Sequence, residues 1–227
     1  MKLRVFSVFA VLFTVALAQA AILPPTGSAP VAPDVFNTNV NGPFLANTGV
    51  QPFTAKNSLG QTTILGEYDA TVYADPSNTF CAGCLDFFIL VESSSSSTDA
   101  IERITLAAFG NYLTDVGYSN GNGGPSVDPS AVDPSTVDRS SNGNVVGFNF
   151  AEPTGVPPGD ETAVLEIQTN AKAFTTGTLQ IIDSSVASVN AFAPSCVVPE
   201  ASSVSLTLLG GALLGIGLMR RRRRMAR

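Results

Sequence analysis

The stretch Leu85 to Val91, LDFFILV, has apolar residues at six of its seven positions and decides the fold class of the chain. A short and nearly continuous apolar run, rich in aromatic and β-branched residues, is typical of a strand that is buried on both faces. Polar and turn-forming residues precede and follow it. The stretch therefore predicts the central strand of a β-sheet.

Six other segments combine apolar and polar residues in short runs that are separated by turn residues. They predict further strands at Thr63 to Tyr73 with a bend at Gly66, Ile101 to Phe109, Val145 to Phe150, Ala163 to Thr169, Thr178 to Ile182 and Ala187 to Phe192. The segment that starts at Ile101 also fits a helix, but its β-branched residues favour a strand. Seven or eight short strands without a helical period predict an all-β domain, a single antiparallel β-sandwich of the jelly-roll or immunoglobulin-like kind.

Composition divides the region around these strands. Residues 21–60 are rich in Pro, Gly and Asn and predict an extended arm with one edge strand near Asn47 to Phe53, before a β-sandwich domain at residues 61–196. Within that domain, residues 118–143 have almost no large apolar side chains and predict a long surface loop.

Residues 1–20 have the features of a secretory signal peptide. Two basic residues near the start precede the apolar run Val5 to Leu17, and Ala18 and Ala20 form an A-x-A pattern that predicts cleavage before Ala21. The alternative is an uncleaved first transmembrane helix, which the short apolar run disfavours. We therefore expect a helical signal peptide and a mature body that begins at Ala21.

Residues 197–227 combine three features in order. Val198, Pro199 and Glu200 come first, the apolar run Val204 to Met219 follows, and a cluster of five arginines closes it: Arg220, Arg221, Arg222, Arg223 and Arg224. A 16-residue helix is about 24 Å long, slightly less than the ~30 Å hydrocarbon core, and the residues from Ala201 onward can extend it. Arginines beside an apolar helix stay on the cytoplasmic side, so this transmembrane helix places the body outside.

This order of motif, apolar helix and arginines resembles the PEP-CTERM sorting signal of exosortase substrates in Gram-negative bacteria. The resemblance covers about thirty residues, and Ala201 departs from it because the family usually has a second proline there. It implies that a membrane-embedded exosortase reads Pro199 and Glu200 and removes the helix. The alternative is a permanent anchor with the arginines as a stop-transfer signal. Glu161 to Pro194 is also similar to the closing strands of other secreted PEP-CTERM proteins.

Charge excludes some classes of partner. Only four basic residues lie between the predicted signal peptide and the sorting motif, namely Lys56, Arg103, Arg139 and Lys172. The same region holds 17 of the 18 acidic residues, so its net charge is −13. Such a body repels nucleic acid and anionic lipid headgroups. We therefore expect no nucleic-acid partner, and contact with the membrane only through the C-terminal helix before processing.

Cys81 and Cys84 form a CxxC pair, which suits a redox site, half of a metal site or a tight disulfide. The chain has no histidine and no second CxxC, so a four-ligand zinc site within one chain is excluded. A disulfide is the default in an exported protein, and a thioredoxin-like site would open a helix rather than a strand. Cys196 then stays free or pairs between chains.

Absence of histidine also excludes Ser-His-Asp and Cys-His nucleophiles. A pair of carboxylates of the glycosidase type would be the only catalytic option. Candidate acids for it are Asp69, Asp86, Glu166 and Asp183, but no spacing selects two of them, and isolated acids on strands usually face solvent. We therefore expect no catalytic residues and no enzyme activity.

Two binding hypotheses remain in the body. Asp128, Asp133 and Asp138 recur every five residues in the predicted loop and suggest a weak calcium site, but the loop lacks the D-x-D-x-D-G arrangement, which favours a solvated acidic loop and no metal. Tyr112 and Tyr118 flank the loop and suggest a sugar-binding platform, against which stands the simpler interpretation of two half-buried strand-end residues.

The sequence thus predicts an exported, non-catalytic cell-surface or extracellular-matrix protein that needs no cofactor. The precursor would be anchored in the inner membrane, and the processed body would lie at the cell surface or outside the cell. The resemblance implies exosortase as a partner and, through the family's association with exopolysaccharide and biofilm production, exopolysaccharide as another. A polysaccharide-binding or protein-binding surface module is the second hypothesis, and a carboxylate-dependent hydrolase is the third.

Overall fold

A computed structural model describes residues 21–36, 42–119, 130–151 and 154–196. Within these ranges the chain is all-β: 14 strands form one large and almost entirely antiparallel sheet, with no helix. The prediction of an all-β body is confirmed. The predicted signal peptide and the whole predicted sorting signal, including its apolar run and arginines, lie outside the described ranges. None of the described segments forms a helix long and apolar enough to cross a membrane.

The strands vary from two to fourteen residues in length. In chain order they are β1 (Ile22–Leu23), β2 (Ser28–Val31), β3 (Asp34–Phe36), β4 (Phe44–Asn47), β5 (Gln51–Lys56), β6 (Thr62–Asp75), β7 (Cys84–Ser93), β8 (Arg103–Ala107), β9 (Thr114–Ser119), β10 (Thr136–Arg139), β11 (Val145–Asn149), β12 (Val164–Thr169), β13 (Ala173–Ile182) and β14 (Val186–Ser195).

The apolar run that decides the fold class is β7, and it lies inside the sheet between β6 and β12. All of the other six segments predicted as strands are strands, β6, β8 and β11 to β14. The segment that also fitted a helix is β8, which pairs with β11 on one side and β13 on the other. Its β-branched residues Ile104 and Thr105 are buried between these neighbours.

The structure corrects two boundaries. The predicted arm, residues 21–60, contains five short strands rather than one, and these pair with β6, β9, β10 and β14. The predicted loop, residues 118–143, contains the end of β9 and all of β10. The sequence of strand β10 shows no apolar pattern, because only Val137 points into the core. Its other buried side chain, that of Arg139, is buried against backbone carbonyls.

Strand order along the sheet is β1-β9-β12-β7-β6-β5-β14-β13-β8-β11-β10-β2, with β3 beside β9 and β4 beside β6. Most neighbouring strands share several residue pairs, and β13 and β14 share ten. Strands β5 and β14 share only one pair, Lys56 and Val186. The sheet therefore consists of two halves that join at one narrow corner. The first half is β1-β9-β12-β7-β6-β5, with β3 and β4 at its side, and the second half is β14-β13-β8-β11-β10-β2.

The two halves bury one common hydrophobic core. Phe87 and Ile89 of β7 belong to the first half, Phe148 and Leu179 to the second, and all four lie in a single cluster of buried side chains. Burial of each such side chain contributes ~1.5–3 kcal/mol. Polar contacts also connect the halves: the Tyr68 hydroxyl donates to the carbonyl of Asn190 at 2.7 Å. Residues of both halves therefore contribute to one cluster of buried side chains.

Arg139 on β10 connects the far ends of the strand order. Its side chain is 2 % exposed, and all five of its N–H donors have acceptors. Four acceptors are backbone carbonyl oxygens and one is a hydroxyl: Gly143 O at 2.8 Å, Leu23 O at 2.8 Å, Phe109 O at 2.6 Å, Tyr112 O at 2.9 Å and Thr114 Oγ1 at 3.1 Å. Since Leu23 and Thr114 belong to β1 and β9, this one guanidinium ties the last strands of the second half to the first half.

We expect Arg139→Met to lower the free energy of unfolding by about 3 to 5 kcal/mol, because it leaves several buried carbonyl groups without a donor. Urea denaturation of residues 21–196 measures the effect. Lys172→Met is the control: it removes the same charge from an exposed site and should change stability by less than ~0.5 kcal/mol. Equal effects of the two substitutions would contradict the structural role of Arg139.

Candidate functional site

A cluster of buried carboxyl groups lies on the face of the first half that points away from the common core. Asp86 on β7 pairs in register with Gln168 on β12, and Gln168 pairs with Asp115 on β9. Glu166 lies two residues from Gln168, so strand alternation puts its side chain on the same face. Asp86, Asp115 and Glu166 are each 0 % exposed.

The structure thus brings together Asp86 and Glu166, two of the four acids considered from sequence, and buries them. The other two lie elsewhere and are partly exposed. Asp69 accepts hydrogen bonds from Asn47 and Thr48, and Asp183 lies in the turn between β13 and β14. The expectation that strand carboxylates face solvent is therefore wrong for Asp86 and Glu166. Asp75 and Asp115 join the cluster without having been predicted, because only the register of β9 and the fold of residues 76–83 bring them there.

The segment between β6 and β7, residues 76–83, covers the cluster. Its Asn78 donates through Nδ2 to Asp86 Oδ1 at 2.6 Å and to the Thr169 carbonyl at 3.1 Å. Thr79 donates through Oγ1 to Asp115 Oδ2 at 3.1 Å. These contacts hold the segment down over the carboxyl groups, so the acids are closed off from solvent by a fixed cover.

A disulfide closes the end of this cover. Cys81 and Cys84 are bonded, with their Cα atoms 5.3 Å apart, which confirms the predicted pairing. The Asn78 side-chain oxygen accepts hydrogen bonds from the backbone N–H of Phe80 and Cys81, at 2.8 and 3.3 Å. The CxxC therefore serves the geometry of the cover in this structure.

Burial raises the pKa of Asp86 to about 9. The charge of Glu166 and the contact with Asp75 act in the same direction, while the hydrogen bond from Asn78 acts against them. Asp86 Oδ2 has no donor partner and is fully buried. A proton on this carboxyl group removes the cost of burying its charge. Asp86 is therefore neutral at pH 7.

Burial likewise raises the pKa of Asp115, to about 6, with a further contribution from Asp34, while hydrogen bonds from Thr79 and the Val116 backbone oppose it. In the described part of the chain, no three acidic or thiol side chains are arranged so that they could hold a metal ion. Because the acids are inaccessible, they cannot reach a substrate in this conformation.

The predicted tyrosine platform is not assembled. The Tyr112 hydroxyl donates to the sulfur of Cys196 at 3.2 Å, and burial, followed by this contact, raises the pKa of Tyr112 to about 12. Tyr118 is half-buried, and its pKa is raised by burial and by Asp133. The two lie at opposite ends of β9, whose residues from Thr114 to Tyr118 alone span ~13 Å. Cys196 is a free and exposed thiol.

The two described aspartates of the suggested calcium site have other partners. Arg103 donates to both carboxylate oxygens of Asp138, at 2.5 and 2.7 Å, and Asn149 donates to one of them at 2.8 Å. Burial raises the pKa of Asp138, but these hydrogen bonds and the Arg103 charge outweigh burial and lower it. Asp133 contacts Tyr118, and Asp128 lies outside the described residues. Asp138 is thus one partner of an ion pair that joins β8 to β10.

An accessible groove lies at the other end of β7. Three depressions, of about 550, 190 and 50 Å³, all have Glu92 in their lining, and the first and third also share Glu67. We call their union the Glu92 groove. Glu67 on β6 and Glu92 on β7 are direct cross-strand partners, and Glu161 forms a bridge with Glu92 on the other side. Three carboxylates therefore lie side by side across neighbouring segments of the sheet.

Sequence reasoning missed this row because Glu67, Glu92 and Glu161 are far apart in the chain, and only the strand register makes them neighbours. Glu67 and Glu92 are exposed, unlike the acids of the buried cluster. The groove thus provides the concave surface with facing acids that a carboxylate-dependent hydrolase requires, and it also provides a surface for binding.

The buried carboxyl group of Asp86 makes stability depend on pH. Asp86 titrates near 3.8 in the unfolded chain and near 9 in the folded one, so the folded state keeps a proton that the unfolded state releases. This contribution is complete below pH ~4 and is lost as the pH rises through about 9. We expect the free energy of unfolding to fall by up to ~1.4 kcal/mol per pH unit in that window.

Asp86→Asn keeps the site neutral and should remove most of this slope between pH 6 and 9, with higher stability than the wild type at pH 9. Urea denaturation at several pH values measures it, and Glu67→Gln, at an exposed acid, should leave the slope unchanged. A stability that does not vary over this range, or one restored only by added Ca²⁺, would contradict proton occupancy.

Comparison with known proteins identifies no relative. No protein-family model, no curated protein and no solved structure matches this chain. A functional proposal therefore has to rest on the residues and the geometry of the chain itself.

Proposed function

We propose that this protein is exported and acts as a non-catalytic component of the cell surface or extracellular matrix, after sorting by an exosortase. The observation that carries the proposal is the order Pro199-Glu200, apolar run and arginine cluster in a chain whose residues 1–20 have the sequence features of a signal peptide. Signal peptide and sorting signal are independent features, and both direct the body out of the cytoplasm.

The disulfide supports export. Disulfides form and persist in oxidising compartments such as the periplasm and the extracellular space, and cytosolic thiols are kept reduced. Cys81 and Cys84 are bonded within a segment that is also fixed by Asn78. A disulfide in the cover segment is therefore consistent with a protein that functions outside the cytoplasm.

The proposed body is a β-sandwich whose layers are the two halves of the sheet. Three observations support this arrangement: the halves meet at the single pair Lys56 and Val186, they share one hydrophobic core, and Arg139 ties their far ends together. A twisted sheet that folds over at one corner buries its inner face in this way. The acidic surface of such a body favours solubility and disfavours nucleic acid as a partner.

The burial of Asp86 and Glu166 supports a non-catalytic role for the cluster, since catalytic acids have to reach the reacting atoms. A polysaccharide-binding or protein-binding module is the second hypothesis, and the accessible Glu92 groove favours it. A hydrolase is the third, because Glu67 and Glu92 face each other in that groove.

Intact-mass analysis of the protein from a host that has an exosortase tests the sorting proposal. We expect a mature species that begins at Ala21 and has lost the arginine cluster. In a strain without the exosortase, or in a Pro199→Ala, Glu200→Ala double variant, a larger membrane-bound precursor should accumulate instead.

An otherwise mature protein that still ends at Arg227 would show a permanent anchor and refute sorting. The full-length chain in the cytosol, with both ends uncut, would refute export itself. Replacement of two residues on the far side of the arginines, Met225→Ala and Arg227→Ala, serves as the matched control and should leave processing intact.

A further inference from the structure

We propose that the Glu92 groove is a binding site for a polysaccharide that carries protonated amines, such as a partly or fully deacetylated amino-sugar polymer. The inference deepens the proposed surface role, because it names a partner class for the body. It does not depend on how the tail is processed, so the two proposals can fail separately.

The Glu92 groove consists of three adjoining depressions that meet at Glu92. Its largest part, about 550 Å³, lies between the β5–β6 hairpin and the turn after β7, and the smaller parts extend it past Glu92 to Ser130 on one side and to Val50 on another. Binding sites of this volume accommodate several sugar-sized groups. An open and elongated shape fits a segment of a polymer better than a small enclosed ligand.

The turn that forms one wall is fixed in place. Ser97 Oγ donates to the Leu65 carbonyl at 2.9 Å and accepts from the Leu65 N–H at 3.0 Å, and the Ser94 N–H donates to the same carbonyl at 2.8 Å. Because backbone and Ser97 anchor the turn to β6, Ser95 and Ser96 remain exposed on the groove. A ligand therefore meets hydroxyl groups whose positions are set before it binds.

The chemistry of the lining matches a polyol. Hydroxyl side chains at Thr54, Ser94, Ser95 and Ser96 both donate and accept hydrogen bonds, and the carboxylates of Glu67 and Glu92 accept them. Sugar hydroxyls are donors and acceptors at once, so this mixture satisfies them. By contrast, Phe53, the aromatic residue of the largest part, is 4 % exposed and offers no pocket for a peptide side chain.

The charge of the groove selects for cations. Five acids line it, Glu67, Asp69, Glu92, Asp160 and Glu161, and among the described lining residues none is Lys or Arg. Like charges directly opposite each other on neighbouring strands destabilise a sheet, and Glu67 and Glu92 occupy that position. A bound ammonium group relieves this repulsion, whereas an anionic polysaccharide adds to it.

Amines spaced along a saccharide also suit the spacing of the acids. Strands in a sheet are ~4.8 Å apart and successive residues on one face of a strand are ~6.6 Å apart. Glu67, Glu92 and Glu161 lie on neighbouring segments, so they have the spacing between strands. Glu67 and Asp69 lie on one face of β6, so they have the spacing along a strand. Charges distributed over such a row bind an extended polycation more effectively than a single metal ion, for which no ligand group converges in the described residues.

Calorimetric titration of residues 21–196 with a glucosamine hexamer at pH 6, and with its fully N-acetylated counterpart, tests the inference. We expect saturable binding of the amine form and at least tenfold weaker binding of the acetylated form. Glu92→Gln should weaken binding at least tenfold, and Ser95→Ala, which leaves the charge unchanged, about threefold. Glu102→Gln, which removes an equal charge from an exposed position outside the groove lining, should stay within twofold of the wild type.

Urea denaturation of each variant verifies that the fold is retained. Absence of hexamer binding would overturn the inference, and so would equally tight binding of hexalysine, which would reflect charge alone. Loss of binding in Tyr118→Ala but not in Glu92→Gln would place a sugar site elsewhere. Cleavage of the hexamer, detected by mass spectrometry, would instead overturn the non-catalytic part of the proposed function and leave the groove as the site.

Discussion

The fold depends on a buried cation whose partners in the described ranges are all neutral oxygen atoms. Arg139 uses its five N–H groups on four carbonyl oxygens and one hydroxyl. These acceptors come from β1, from the start of β9, from the segment before β9 and from the turn between β10 and β11. Burial lowers the pKa of the Arg139 guanidinium. The ordinary pKa of arginine is so high that the group still keeps its charge at neutral pH. Strands β1 and β10 have few residues with which to hold each other by packing. The hydrogen bonds of the Arg139 guanidinium replace that packing. They connect the two ends of the strand order, which are far from the single pair Lys56 and Val186.

Two buried ionisable sites are thus stabilised in opposite ways. Arg139 keeps its charge because every donor has an acceptor. Asp86 loses its charge mainly because it is buried, with a further contribution from the charge of Glu166, and because one of its oxygens has no donor. Neutralisation by a proton costs less than burial of an unpaired carboxylate. It also reduces the negative charge of a body that has few basic residues. Asn78 of the cover segment contacts Asp86, which has no exposed surface, so hydration does not stabilise its charged form.

Sequence patterns predicted the elements whose burial is apolar and missed those whose burial is polar. Strand β7 is predicted correctly because six apolar residues in seven leave one interpretation. Strand β9, TDVGYS, gives no apolar pattern although five of its six residues are buried, because Asp115 and Thr114 are buried by hydrogen bonds with Thr79, Leu23 and Arg139. For the same reason the sequence identified Asp86 and Glu166 as candidate acids but did not predict that they are buried next to each other. Their environment depends on strand register and on residues 76–83, which no local pattern encodes.

One face of β7 carries both acidic sites and shows why they differ. Asp86, Phe88, Leu90 and Glu92 alternate with the core residues and span ~20 Å along the strand. The cover segment lies over the Asp86 end, and Tyr73 packs edge-on against Phe88 at 5.7 Å in the middle. Exposure then rises through Leu90 to Glu92, where no described segment covers the strand. The face therefore carries a buried, protonated carboxyl group at the Asp86 end and an exposed carboxyl group at the Glu92 end. Since the exposed carboxylates face each other at a cost in stability, the Glu92 end is the part of the body where a ligand would gain most from binding.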